Sequence, residues 1–127
     1  MIGAEAVRAL FALRGVEPFA RLDDLELLLI ASHARLRAYP PGRVILAGGQ
    51  VAEHLFVAVE GAAETAGAAA SAVFDAAGLL FGLAARDDYM AGPYGLNALV
   101  IAKPHVFTIA RECPEFVVGL RDLAGAP

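Results

Sequence analysis

Residues 78–96 read GLLFGLAARDDYMAGPYGL, the stretch around which the other segments of the chain are organised. Gly78 and Gly82 bracket an apolar triplet, and the stretch closes on the Gly-Pro-Tyr-Gly of residues 92–95. This order predicts a strand end, a glycine, a short helical turn and a return loop. Backbone N–H groups at the start of a helical turn point toward a bound anion, and glycine lets the backbone approach it closely. The stretch therefore has the layout of an anion-binding loop.

The composition excludes several function classes. The 127 residues are 58% hydrophobic and 19% charged, so we expect a single domain over residues 1–127 with one core. The net charge is −4 and Lys103 is the only lysine, which argues against a nucleic-acid partner. No apolar run approaches the roughly 18–20 residues of a membrane helix, and no secretory signal is recognised at the N-terminus. We therefore expect no membrane association and a cytoplasmic location.

Helical periodicity marks the beginning of the chain. Residues 4–14 predict a first helix, whose apolar face is formed by Val7, Leu10 and Phe11. Asp23 and Glu26 have the spacing of a capping box and predict a second helix that ends near Ser32. Together these segments form a helical lead over residues 4–32.

Between the helical ends, the hydrophobic period changes to two over residues 34–110. The predicted strands are 34–39, 44–46, 55–59, 73–74, 98–102 and 106–109. Gly61 is expected to close the third of these strands, residues 62–66 to pair with it, and residues 67–72 to form a hairpin tip. A last helix is predicted over about 114–123. Many short strands flanked by helices predict a mainly β fold, either a sandwich or a jelly-roll barrel.

Three groups of residues resemble the cyclic-nucleotide-binding domain shared by catabolite-activator-type regulators, kinase regulatory subunits and gated channels. The first group is Pro41-Gly42, Ile45, Gly49, Leu55-Phe56-Val57, Val59 and Gly61. The second is the lead-in to the phosphate-binding cassette, residues 78–82, and the third is Ala102, residues 106–109, Arg111 and Phe116. The resemblance covers roughly residues 18–120. It implies an eight-stranded jelly roll, or double-stranded β-helix, with N-terminal helices and a short C-terminal helix.

The cassette of this chain departs from the family pattern. The family reads Phe-Gly-Glu, then Pro-Arg-Ser/Thr-Ala, where the Glu binds the ribose hydroxyl and the Arg pairs with the cyclic phosphate. Here Leu83 follows Phe-Gly, and Tyr94, Gly95 and Leu96 follow Pro93. Loss of two charge-assisted contacts weakens binding by about two to four powers of ten. The cassette is therefore interpreted as degenerate, which argues against binding of cyclic AMP or cyclic GMP.

Three functions are consistent with these patterns. The first is a non-catalytic regulatory or interaction module that acts through a protein partner or self-association. The second is a cyclic-nucleotide sensor that binds through the backbone amides of residues 82–85 and Arg86. The third is a small cupin-like enzyme. The candidate ligand-binding residues are Phe81, Gly82, Leu83, Ala84, Ala85, Arg86, Tyr94, Gly95 and Leu96.

The remaining candidates for chemistry are interpreted as structural. Tyr94 is expected to plug the ligand pocket. The histidines His33, His54 and His105 lack the spacing of a metal site, and His105 is expected in a surface turn. No serine lies in a nucleophile elbow, so no catalytic or metal site is predicted. Cys113, the single cysteine, is expected to be a small core side chain.

Overall fold

Six strands and five α-helices form the part of the chain that the computed structural model describes, residues 4–17 and 19–124. The helices are α1 (Ala4–Arg14), α2 (Asp24–His33), α3 (Ala76–Phe81), α4 (Lys103–Glu112) and α5 (Pro114–Ala124). The strands are β1 (Ala34–Tyr39), β2 (Val44–Leu46), β3 (His54–Thr65), β4 (Ala68–Ala69), β5 (Val73–Phe74) and β6 (Tyr89–Ala102). No helix in the described ranges is long and apolar enough to span a bilayer.

All six strands belong to one antiparallel sheet, in which the long strands β3 and β6 pair with each other. The order is β1-β6-β3-β4, while β2 pairs with the start of β6 and β5 pairs with β3. The sheet does not close into a barrel. The described strands therefore number six, not the eight that the resemblance implied, although the mainly β fold with flanking helices is confirmed.

The two faces of the sheet carry separate apolar clusters, because successive side chains of a strand point to opposite faces. One face packs against the helices and contains Leu55, Val57 and Leu99, all at most 1% exposed. The opposite face carries a smaller cluster that includes Phe56 and Val100. This alternation specifies the register of β6 against β3, since a slip of one residue would exchange the two faces.

Gly61 lies inside β3, so the prediction that it closes a strand is wrong. The strand runs on to Thr65, so residues 62–65 continue the strand instead of forming its partner, and Ala66 lies in the turn that follows. The register with β6 shifts on both sides of Gly61, which marks β-bulges that bend the strand. Gly61 has a φ of +73°, and a Cβ there would overlap the carbonyl oxygen of Gly95. Only glycine permits both this backbone conformation and this close approach.

The first helix, α1, spans Ala4–Arg14 and α2 ends at His33, one residue past the predicted Ser32, but the buried face of α1 differs from the prediction. Helix α1 buries Ala9 and Leu13, whereas Val7 and Phe11 are 42% and 64% exposed. The predicted apolar face is therefore wrong for Val7 and Phe11, whereas Leu10 is partly buried against the core. Helix α1 packs onto α2 and β1.

Helix α2 begins with the predicted capping box. The Glu26 N–H donates to Asp23 Oδ1 at 2.8 Å, and the Asp23 N–H donates to Glu26 Oε1 at 3.1 Å. Two N–H groups at the start of α2 thus have hydrogen-bond acceptors from side chains only three residues away.

The predicted strand at 106–109 is wrong, because these residues lie in α4. The β region therefore ends at Ala102, short of the predicted 110. Val106 and Ile109 are both buried at helical spacing, and Pro104 in the first turn suits a helix start. A four-residue apolar run does not distinguish a strand from a buried helix turn. His105 accordingly lies in the first turn of a helix and not in a surface turn.

Candidate functional site

The predicted anion-binding stretch has a different order of elements in the structure. Its helical turn, α3, precedes Gly82 instead of following it. Gly82 has a φ of +67° and ends α3, and residues 83–88 then run as an irregular loop into β6. We refer to residues 82–88 as the cassette loop.

The turn before β3 anchors the cassette loop. The Gly49 N–H donates to the Ala85 carbonyl at 2.8 Å, and the Ala85 N–H donates to the Gln50 carbonyl at 2.9 Å. The Gly48 N–H donates to Asp88 Oδ1 at 2.7 Å. The Asp88 carboxylate therefore ties the cassette loop to this turn.

Most of the backbone amides predicted to bind an anion already have acceptors inside the fold. The N–H groups of Gly82 and Leu83 both donate to the Gly78 carbonyl, the latter at 3.1 Å. The Ala85 N–H is bound to Gln50. An anion that used these three amides would have to displace backbone hydrogen bonds, and each has a net contribution of about 0.5–1.5 kcal/mol.

Apolar side chains are exposed where α3 leads into the cassette loop. Phe81, at the end of α3, is 61% exposed and Leu83 is 55% exposed. Ala84 pairs with Val51 in an isolated bridge, and Val51 is 41% exposed. Arg86 is exposed, and the two ion pairs within residues 4–17 and 19–122 do not include it.

The other predicted site residues lie within β6, apart from the cassette loop in sequence. Tyr94 is 95% exposed, so the prediction that it plugs a pocket is wrong. Gly95 is buried beside Gly61, and Leu96, which pairs with Tyr39 and Gly61, is 2% exposed. The predicted return loop at 92–95 is also wrong, because β6 is continuous from Tyr89 to Ala102.

Asp75 is a polar group at this site that sequence reasoning missed. It precedes α3 with a φ of +56°, and its carboxylate lies directly over Gly78, where a Cβ would be 2.7 Å from Oδ1. Oδ2 is buried without a hydrogen-bond partner. Burial raises the pKa of the Asp75 carboxyl. The pKa of the nearby Tyr89 hydroxyl is also raised, first by burial and then by the charges of Asp75 and Asp87.

Cys113 is a buried thiol between α4 and α5, as predicted. Its Sγ donates to Glu26 Oε2 at 2.9 Å. Burial, followed by this hydrogen bond to Glu26, raises the pKa of the thiol to about 11. The nucleophilic thiolate is therefore scarce at neutral pH. In the described residues no three His, Cys, Asp or Glu side chains are arranged to hold a metal ion.

Comparisons with known proteins give a structural likeness without a sequence match. No protein-family model matches the chain, and no curated protein matches its sequence. The cAMP-bound regulatory domain of Toxoplasma gondii PKA superposes with a TM-score of 0.78 at 14% identity, over 94% of this chain and 49% of that one. Thermus thermophilus catabolite activator protein superposes with a TM-score of 0.69 at 20% identity, over 83% of this chain and 55% of that one.

A third solved structure, a cyclic nucleotide-binding domain from Methylobacillus flagellatus KT, has a TM-score of 0.68 at 14% identity. It matches over 93% of this chain and 74% of its own length. The present chain thus spans about half the length of the first two proteins and about three quarters of the third. The chain has the fold of a cyclic-nucleotide-binding domain.

Proposed function

We propose that this chain is a non-catalytic regulatory module whose cassette loop contacts a protein surface in place of a cyclic nucleotide. The proposal rests on the occupied backbone amides of the cassette loop and on the apolar side chains exposed beside them. The amides of residues 82, 83 and 85 donate within the fold, while Phe81 and Leu83 expose apolar side chains. Exposed apolar side chains grouped on a surface are typical of protein interaction sites.

The packing of α3 supports a regulatory role for the cassette loop. Helix α3 leads directly into the loop and packs against α5. A partner that binds at Phe81 and Leu83 therefore contacts the end of a helix that supports α5. Binding at the cassette loop would therefore be transmitted to the C-terminal helix α5 through its contacts with α3.

A thermal-shift titration with cyclic AMP and cyclic GMP, up to millimolar concentrations, tests this proposal. A ligand that binds only the folded state stabilises it by about 2.7 kcal/mol at 100 times its Kd, which raises the melting temperature by several degrees. We expect no saturable shift with either nucleotide, because the loop amides are engaged and Leu83 stands where the ribose-binding Glu is expected.

The matched variants for this titration are Arg86→Ala and Arg111→Ala, both at exposed arginines, the second on α4. A saturable shift that Arg86→Ala abolishes and Arg111→Ala preserves would contradict the proposal. That result would establish the alternative, a cyclic-nucleotide sensor that uses Arg86 as the phosphate-binding cation.

A further inference from the structure

A second surface, remote from the cassette loop in sequence, brings basic side chains of residues 33–37 together with His54 and His105. The cleft has a volume of about 950 Å³ and lies where β1, the start of β3, the end of β6 and the first turn of α4 meet. We call it the basic cleft, because its lining includes five basic residues, His33, Arg35, Arg37, His54 and His105. The cassette loop joins the opposite end of β6, at Tyr89.

The sheet register brings these side chains to one face. Arg35 and Phe56 both pair with Val100, on the two sides of β6, and therefore share a face with it. Arg37 and His54 lie two residues from Arg35 and Phe56, respectively, and two-residue spacing keeps side chains on the same face of a strand. Strand pairing and helix packing therefore add His54 and His105 to the alternating basic residues of positions 33–37.

Helix α4 supplies the fifth basic group. The His105 ring stacks on the His33 ring, with centroids 4.7 Å apart and an interplanar angle of 26°. Helix α4 begins at Lys103 without a side-chain cap. Its N-terminus lies at the cleft, since Ala102 and His105 both line it. The Lys103 N–H already donates to the Glu53 carbonyl at 2.9 Å and Pro104 has no N–H, so α4 contributes mainly the His105 side chain.

The positive charge of the cleft is only partly neutralised. The ion pairs within residues 4–17 and 19–122 are Arg14–Asp24 and Arg21–Glu17, so neither includes Arg35 or Arg37. Glu5 is the acidic side chain of the lining, and its Oε1 accepts a hydrogen bond from the Leu36 N–H at 3.4 Å. Two arginines and three histidines therefore face one carboxylate in a chain whose net charge is −4.

We propose that the basic cleft binds a small molecule through a phosphate or diphosphate group. Arginine guanidinium groups recognise phosphate oxygens with paired hydrogen bonds, and the two arginines lie two residues apart on one strand. The cleft volume of about 950 Å³ is at the upper end of small-molecule sites and leaves room beyond the anionic group. The stacked histidine rings provide a flat surface beside that group. This site is separate from the proposed function of the cassette loop.

The proposal is tested by titrating the full chain with inorganic diphosphate at low salt. Binding is monitored by two-dimensional ¹H–¹⁵N NMR. We expect saturable shifts at the amides of residues 33–37, 54, 102, 103 and 105, and none at 82–88. The double variant Arg35→Gln/Arg37→Gln should bind diphosphate at least about tenfold more weakly, since it removes two charge-assisted contacts. The control Arg43→Gln, at an exposed arginine before β2 and outside the cleft, should bind within about twofold of the original chain.

A salt titration and a comparison with malonate test whether binding is electrostatic and selective for phosphate groups. The original chain should lose affinity as NaCl rises from about 20 to about 300 mM, because salt screens exposed charges. Malonate, a dicarboxylate, should bind more weakly than diphosphate. The proposal is overturned if diphosphate gives no saturable shift, if Arg43→Gln weakens binding as much as the double variant does, or if malonate binds equally well.

Discussion

At the scale of the residue, Asp75 combines a left-handed backbone with a buried carboxyl oxygen that has no partner. Burial raises the pKa of this carboxyl above its ordinary value of 3.8, so the folded protein holds the proton more tightly than the unfolded chain does. Above the folded-state pKa the charged carboxylate destabilises the fold. As the pH falls through that pKa, the carboxyl takes up a proton and the cost disappears.

We therefore expect Asp75→Asn to stabilise the protein at pH 7. Asparagine tolerates the left-handed conformation and carries no charge. The gain should be about 1 kcal/mol or less, because the group is partly exposed and solvent screens it. Melting temperatures measured from pH 7 to pH 4 should show the advantage of the variant shrinking as the pH falls. Asp122→Asn, at an exposed aspartate of α5, is the control, and a pH-independent difference at Asp75 would contradict this account.

At the scale of the element, the bend of β3 depends on the absence of a side chain at Gly61. Gly61→Ala places a methyl group against the Gly95 carbonyl and also forces alanine to a φ of +73°. Gly67, in the hairpin turn, has a similar φ of +79° but no atom within 4 Å of an added Cβ. Gly67→Ala should lower the free energy of unfolding by about 1–2 kcal/mol, from the backbone conformation alone. Gly61→Ala should lower the free energy of unfolding by roughly 2 kcal/mol more, because of the clash. Urea denaturation of both variants measures the difference, and equal losses would show that the strands separate to accept the methyl group.

At the scale of the whole molecule, an apolar surface lies at one end of β6 and a basic surface lies at the other. Phe81 at the end of α3 and Leu83 in the cassette loop expose apolar side chains at one end, and the basic cleft exposes arginine and histidine at the other. If a second copy of the chain covers the cassette loop, the double variant Phe81→Ser/Leu83→Ser should abolish self-association in sedimentation velocity. Leu25→Ser, at a leucine that is 79% exposed on α2, should leave it unchanged. A chain that stays monomeric at all concentrations would reject self-association and assign the surface to a different protein.

The elements predicted correctly are those whose signals lie within a few residues. Helix α2 and its capping box follow from Asp23 and Glu26, which interact three residues apart. Strand β1 follows from the alternation of residues 34–39, and its bounds are as predicted. The cyclic-nucleotide-binding fold was recognisable because several spaced glycines occur in combination, even at the low identities to the solved structures.

Residue types and short spacings in the sequence were sufficient to predict a mainly β fold with flanking helices and the capping box of α2. Contacts between distant parts of the fold, by contrast, make residues 106–109 helical, leave Tyr94 exposed and carry β3 past Gly61. They also decide which basic side chains share the cleft. The course of β3, the exposure of Tyr94 and the basic cleft depend on pairing between strands far apart in the chain, and burial of the sheet faces sets the register of that pairing. The helical state of residues 106–109 depends instead on packing of Val106 and Ile109 into the core.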